Sequence, residues 1–186
     1  MKGKVVLLGL ALGVLVSTQA FAQSNLGLKQ VGVAIGYVSP EDIDGTFSFG
    51  ALMNWGTITP RIELESRIDY WKHSEEEFGT EASVSDLTLG ARGKYFFEVA
   101  HPTLRPFAGA GLGLHLLHAK VTIPAFGGFP EQTAEDSETR LGLDIGGGVV
   151  TAVSPQLDLM GELWYGIVSD VSQFQLRVAM GYKLGS

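Results

Sequence analysis

Between Arg61 and Asp69 an ionic side chain stands at nearly every second position: Arg61, Glu63, Glu65, Arg67 and Asp69. A period of two places all five on one face of an extended strand, with Ile62, Leu64, Ile68 and Tyr70 on the other. Guanidinium groups among carboxylates at this spacing suit mutual neutralisation, because charges withdrawn from water persist only when paired. Arg92, Asp144, Glu162 and Arg177 sit on the non-apolar side of later alternating segments and extend the same chemistry. Arg61, Glu63, Glu65, Arg67, Asp69, Arg92, Asp144, Glu162 and Arg177 are therefore the candidates for an enclosed ion-pair network. Its role would be structural, with no catalytic residue, cofactor or metal implied.

Other constellations are weaker as chemistry. Gly109-x-Gly111-x-Gly113 has the glycine density of a phosphate cradle, but its period is two and no helix follows, so close packing inside a sheet explains it better. His115 and His118 fall on opposite faces of a strand and cannot share a metal; His115 is expected inside, near the outer end, as a hydrogen-bonded histidine. His73, Ser74 and Glu75 hold the residue types of an acyl hydrolase, yet neighbours in a strand point opposite ways and would have to converge through a loop. Glu41-Asp42-x-Asp44-Gly45 offers oxygen ligands for Ca²⁺ or Mg²⁺ but lacks the full twelve-residue loop and its final Glu. An acidic solvated turn is the expectation there, with divalent ions bridging it to lipid phosphates as a hypothesis.

The elements that position these residues are strands. Val31, Val33, Ile35 and Tyr37 alternate with small or polar residues; Phe47, Phe49, Ala51, Met53 and Trp55 repeat the pattern, with Leu52 as an exception on the polar side. Further alternating runs lie at 61–71, 87–97, 106–116, 141–149, 157–165 and 174–184. The connections at 56–59, 98–103 and 152–156 are short, and the acidic stretch 72–83 and the Pro- and Gly-containing segment 119–138, with Gly127-Gly128, read as long loops. The expected fold class is all-β, an eight-stranded antiparallel up-and-down barrel. Lys2 and Lys4, the apolar run Val5–Val16 and Ala20-Phe21-Ala22 form a secretory signal peptide. Residues 1–22 are thus expected to be removed, leaving 23–186 as one barrel domain.

Composition narrows the function. The chain has 186 residues, a formal charge of -7 and no cysteine, so neither disulfides nor thiolate chemistry can operate. An acidic chain is unsuited to nucleic acid. Period two fits a membrane barrel and an inside-out, soluble one equally. Orientation toward lipid is favoured by the Gly- and Ala-rich non-apolar face, by aromatic residues near strand ends (Tyr37, Trp55, Tyr70, Tyr95, Phe97, Tyr165, Tyr182), and by alternation of short turns with long loops. Charges projected inward nearly cancel, whereas the outer loops are strongly acidic. Eight strands leave a lumen that side chains fill, and Trp71, Phe96, Phe107 and Trp164 are available for this.

With Arg105-Pro106-Phe107-Ala108-Gly109-Ala110-Gly111-Leu112-Gly113, Gly142-Leu143-Asp144-Ile145-Gly146-Gly147-Gly148-Val149 and a last strand ending Met180-Gly181-Tyr182-Lys183-Leu184, the chain resembles the outer-membrane protein beta-barrel domain family, the small OmpA- and OmpX-like barrels. The resemblance implies a monomeric transmembrane β-barrel in the cell outer membrane of a Gram-negative envelope, in contact with outer-membrane lipid and lipopolysaccharide and delivered by the barrel assembly machinery. Family members commonly end on an aromatic residue; this chain ends Leu184-Gly185-Ser186, which predicts an atypical insertion signal. The functional expectation is a structural or surface-interaction protein whose extracellular ligand the sequence does not identify. The alternatives are a lipid A-modifying enzyme and a soluble periplasmic ligand-binding barrel.

Overall fold

The computed structural model describes residues 24–125, 130–169 and 171–185. The expected signal peptide, Gly127-Gly128, Asp170 and the terminal Ser186 lie outside them. Eight strands run in chain order, β1 (Asn25–Pro40), β2 (Thr46–Thr59), β3 (Ile62–Glu77), β4 (Thr80–Phe96), β5 (Leu104–Ile123), β6 (Gln132–Ala152), β7 (Leu157–Val168) and β8 (Gln173–Lys183). Each pairs antiparallel with the next, and β8 closes on β1 through the register Gln30↔Lys183 to Pro40↔Gln173. The result is a closed barrel with no sheet edge in its wall.

Burial runs opposite to that of a soluble protein. Along β8, Gln173, Gln175, Arg177, Ala179 and Gly181 are buried, while Phe174, Leu176, Val178, Met180 and Tyr182 are exposed. Val33, Ile35, Leu112, Leu143, Leu163 and Ile167 are likewise outside. Apolar surface on this scale is stable only when something other than water covers it. Leu52, the exception in β2, is buried on the inner face at 1% exposure. Outward aromatic residues form two bands: Tyr37, Phe47, Phe49, Tyr70, Tyr165 and Phe174 toward one end, and Trp55, Tyr95, Phe97 and Tyr182 toward the end holding the chain termini. This is the spacing of membrane-interface girdles.

The glycine stripe of β5 has a specific use. A Cβ at Gly109 would lie 2.8 Å from the Trp164 ring, and one at Gly146 on the facing β6 would lie 2.7 Å from it. Trp164 therefore rests on two bare backbones, and no larger residue fits beneath it.

Two expected loops are strands. Residues 72–83 belong mainly to the β3–β4 hairpin, whose register continues to Glu77↔Thr80, and 119–138 belong largely to β5 and β6, paired as far as Ile123↔Gln132. Above the outer girdle both faces of a hairpin meet water, so the apolar period vanishes while the backbone ladder persists. The short turn expected at 56–59 is tighter, centred on Pro60 and Arg61 between β2 and β3.

Candidate functional site

The inner faces of β3, β4, β6, β7 and β8 bring Glu65, Arg67, Asp69, Arg92, Asp144, Glu162 and Arg177 into one buried cluster, joined by Lys94. Arg67 donates to Asp69 and, at 2.7 Å, to Asp144, which also lies 3.4 Å from Arg92 Nε. Arg177 reaches Asp69 at 3.3 Å and Glu162 at 3.6 Å. Lys94 Nζ donates to Glu65 at 2.5 Å and to Glu162 at 2.7 Å. Four cations thus meet four carboxylates, and the cluster is formally neutral. The period-two placement of Glu65, Arg67 and Asp69 supplies one side of it, and barrel closure brings the other strands across.

Aromatic side chains seal the gaps. The Arg92 guanidinium lies 3.8 Å from the centroid of the Trp164 ring, whose Nε1 donates to Glu162 at 3.1 Å. Phe107 stacks obliquely on Trp164 and on Phe96, with Val150 and Met160 in the same apolar layer toward the chain termini. Trp71 is buried at the other end. Beyond the apolar layer, a vestibule of about 540 Å³ opens at the terminal end, lined by Asn25, Lys29, Glu63, Arg105 and Lys183 among others. The barrel centre is occluded by side chains on both sides of the ion pairs.

Two candidates stand apart from this cluster. Glu63 lies at the mouth of the vestibule, where it accepts from Arg105 and from Asn54 Nδ2 at 2.7 Å. Arg61, expected inside, lies exposed in the β2–β3 turn, 2.7 Å from Glu98. The turn falls on Pro60 and Arg61 rather than on 56–59, so β3 begins only at Ile62 and Arg61 is outside the inner strand face. The Tyr95 hydroxyl and the Glu98 carboxylate hold its guanidinium above the ordinary arginine range.

Lys94, counted as inward but not singled out, is as central as any candidate. A second buried group was not foreseen as a unit: His115 Nδ1 lies 2.7 Å from Asp86 Oδ2 and 3.1 Å from Thr88 Oγ1, which itself donates to Asp86 at 3.0 Å. The signal was available in the alternation of Asp86 and Thr88 on β4, but the register bringing His115 opposite Thr88 was not. His118 lies on the opposite face, beside Ser137.

At the outer end, Ser74 pairs with Ser83 across the β3–β4 hairpin, while His73 and Glu75 share the other face, 3.1 Å apart. Ser74 is therefore directed away from His73, and the hydrolase constellation is not assembled. The outer turns and hairpins carry Glu41, Asp42, Asp44, Glu75, Glu76, Glu77, Glu81, Glu131, Glu135, Asp136 and Glu138 against Lys72, Lys120 and Arg140. The Lys120 ammonium, hydrogen-bonded to Glu135, lowers that carboxyl below its ordinary range.

Comparison with known proteins agrees with this architecture. Residues 8–183 match the family model described as outer membrane protein beta-barrel domain. Among solved structures, Neisserial surface protein A is 20% identical with a TM-score of 0.62, over 83% of this chain and 96% of that one. A major outer membrane protein from Thermus thermophilus is 12% identical with a TM-score of 0.63, over 83% and 99%. Ail, the attachment invasion locus protein of Yersinia pestis, solved with the heparin analogue sucrose octasulfate, is 14% identical with a TM-score of 0.55, over 84% and 97%. No curated protein matches the chain.

Proposed function

We propose that this chain, which belongs to the outer membrane protein beta-barrel domain family and resides in the cell outer membrane, is a monomeric, non-catalytic barrel that presents acidic hairpins at the cell surface. Residues 1–22 act in this reading as the export signal and 23–186 as the inserted domain, delivered by the barrel assembly machinery and seated among lipid and lipopolysaccharide. The observation that carries the reading is the pairing of an occluded lumen with two hairpins that rise above the outer aromatic band. Diffusion through the barrel is opposed by the buried Arg92, Lys94, Glu162 and Trp164, so the exposed hairpins are the part left to act.

The β3–β4 tip supports a surface role. Phe78 is 96% exposed and adopts a φ of 51°, beside Gly79 at 78°. Positive φ at both positions is what a two-residue hairpin turn between Glu77 and Thr80 requires, so the turn sets the backbone there. The Phe78 ring packs against nothing among the described residues, and a bare aromatic at a hairpin tip points to contact with something outside the molecule. The Yersinia protein holds a polyanionic sugar analogue; here the surrounding acids favour a cationic or apolar partner instead. The same acids on the hairpin edges discourage pairing with a second chain, in keeping with a monomer.

The cysteine-free sequence makes the topology directly testable. A Phe78→Cys variant in intact cells is expected to react with a membrane-impermeant maleimide. Ser154→Cys, in the β6–β7 turn, should react only after the outer membrane is permeabilised. Labelling of Ser154→Cys first would place the hairpins in the periplasm and end the surface reading.

A further inference from the structure

We infer that Asp44, His73 and Glu75 form a binding site for a divalent transition metal ion, Zn²⁺ in the first instance, at the outer mouth of the barrel. Asp44 comes from the β1–β2 turn, whereas His73 and Glu75 alternate on one face of β3. One ligand atom from each lies within 4.8 Å of the others. The convergence is held by the fold: Thr46 Oγ1 donates to the Lys72 carbonyl at 2.9 Å, which fixes the start of β2 beside His73. The imidazole is largely covered, with 20% of its side chain exposed, while the Glu75 side chain is 65% exposed and free to reorient.

The donor set selects the ion class. Ca²⁺ and Mg²⁺ take oxygen ligands, and one imidazole among two carboxylates does not supply the six or more oxygens they need. Imidazole nitrogen with carboxylate oxygen suits zinc-type ions, for which three protein ligands and a water complete a tetrahedron. Bonds of ~2.1 Å in that geometry place donors about 3.4 Å apart, a distance that rotation of Asp44 and Glu75 can reach. Two carboxylates in an acidic mouth also raise the local cation concentration. The Glu41-Asp42-x-Asp44-Gly45 turn thus contributes one ligand to a mixed site rather than forming an all-oxygen loop.

The test is calorimetric titration of Zn²⁺ into the full mature chain refolded in phosphocholine vesicles free of lipopolysaccharide. One ion per chain is expected, with affinity falling about ten-fold or more in His73→Ala and in Asp44→Asn, and unchanged in His118→Ala. Excess Ca²⁺ should not compete. Asp44 lies in an exposed turn, so its variant keeps the readout if His73→Ala folds poorly. No saturable Zn²⁺ binding, equal loss in His118→Ala, or full competition by Ca²⁺ would each overturn the site.

Discussion

Glu162→Leu is expected to destabilise the barrel by about 3–5 kcal/mol, read as a lowered midpoint in reversible urea unfolding of the protein refolded in lipid vesicles. Glu162 accepts hydrogen bonds from Lys94 Nζ at 2.7 Å and Trp164 Nε1 at 3.1 Å and forms an ion pair with Arg177, whose Nε lies 3.6 Å away. Its side chain is fully enclosed. Removing it leaves four buried cations facing three carboxylates, and the surplus charge has no route to water. Lys94→Met in the same chain removes that surplus and is expected to recover part of the loss, with a coupling of about 0.5–3 kcal/mol. A single-variant loss below about 1 kcal/mol, the range of exposed ion pairs, would show that the cluster is hydrated and contributes little.

Val33→Arg should cost about 2–4 kcal/mol in the same vesicle assay, the range for a cation on the lipid face near the bilayer midplane. Val33 lies outside, paired with Ala51 on β2 and Met180 on β8. It sits between the level of Tyr182, two residues away at Val31, and the level of Phe49, two residues away at Ile35. Leu26→Arg, also exposed but at the terminal end of β1, should cost only about 0–1 kcal/mol. The depth dependence is the informative part: on a water-covered wall both substitutions would be nearly neutral, and the difference between them would disappear.

Legibility in the sequence follows the number of environments a segment meets. Where one face meets lipid and the other the lumen, as in Phe174 to Tyr182 against Gln175 to Gly181, alternation alone specifies strand, face and partners in outline. Where both faces meet water, as at Glu75-Glu76-Glu77 and Asp136-Ser137-Glu138, no period survives and the continuing hairpins read as loops. The ion cluster is legible residue by residue from Glu65, Arg67, Asp69 and Glu162. Which cation meets which carboxylate is not, because Arg67–Asp144 and Lys94–Glu162 span 77 and 68 positions and depend on the closure of the barrel. Arg61 departs from expectation because the β2–β3 turn falls on Pro60 and Arg61 rather than on 56–59, and the place of a turn decides whether a strand-end residue faces in or out. Asp44 and His73 meet only through the register of β2 on β3, which composition does not carry.

The central claim, apolar side chains toward lipid and ionic ones enclosed, is tested most directly by the three tryptophans. Trp55 is 36% exposed on the outer face, whereas Trp71 and Trp164 are buried at 2% and 1%. Single-tryptophan variants, the other two positions replaced by Phe, are refolded in vesicles whose acyl chains carry bromine near the headgroup. Strong quenching of Trp55 with weak quenching of Trp71 and Trp164 is the predicted result. Stronger quenching of Trp164 than of Trp55 would mean that the wall is turned the other way.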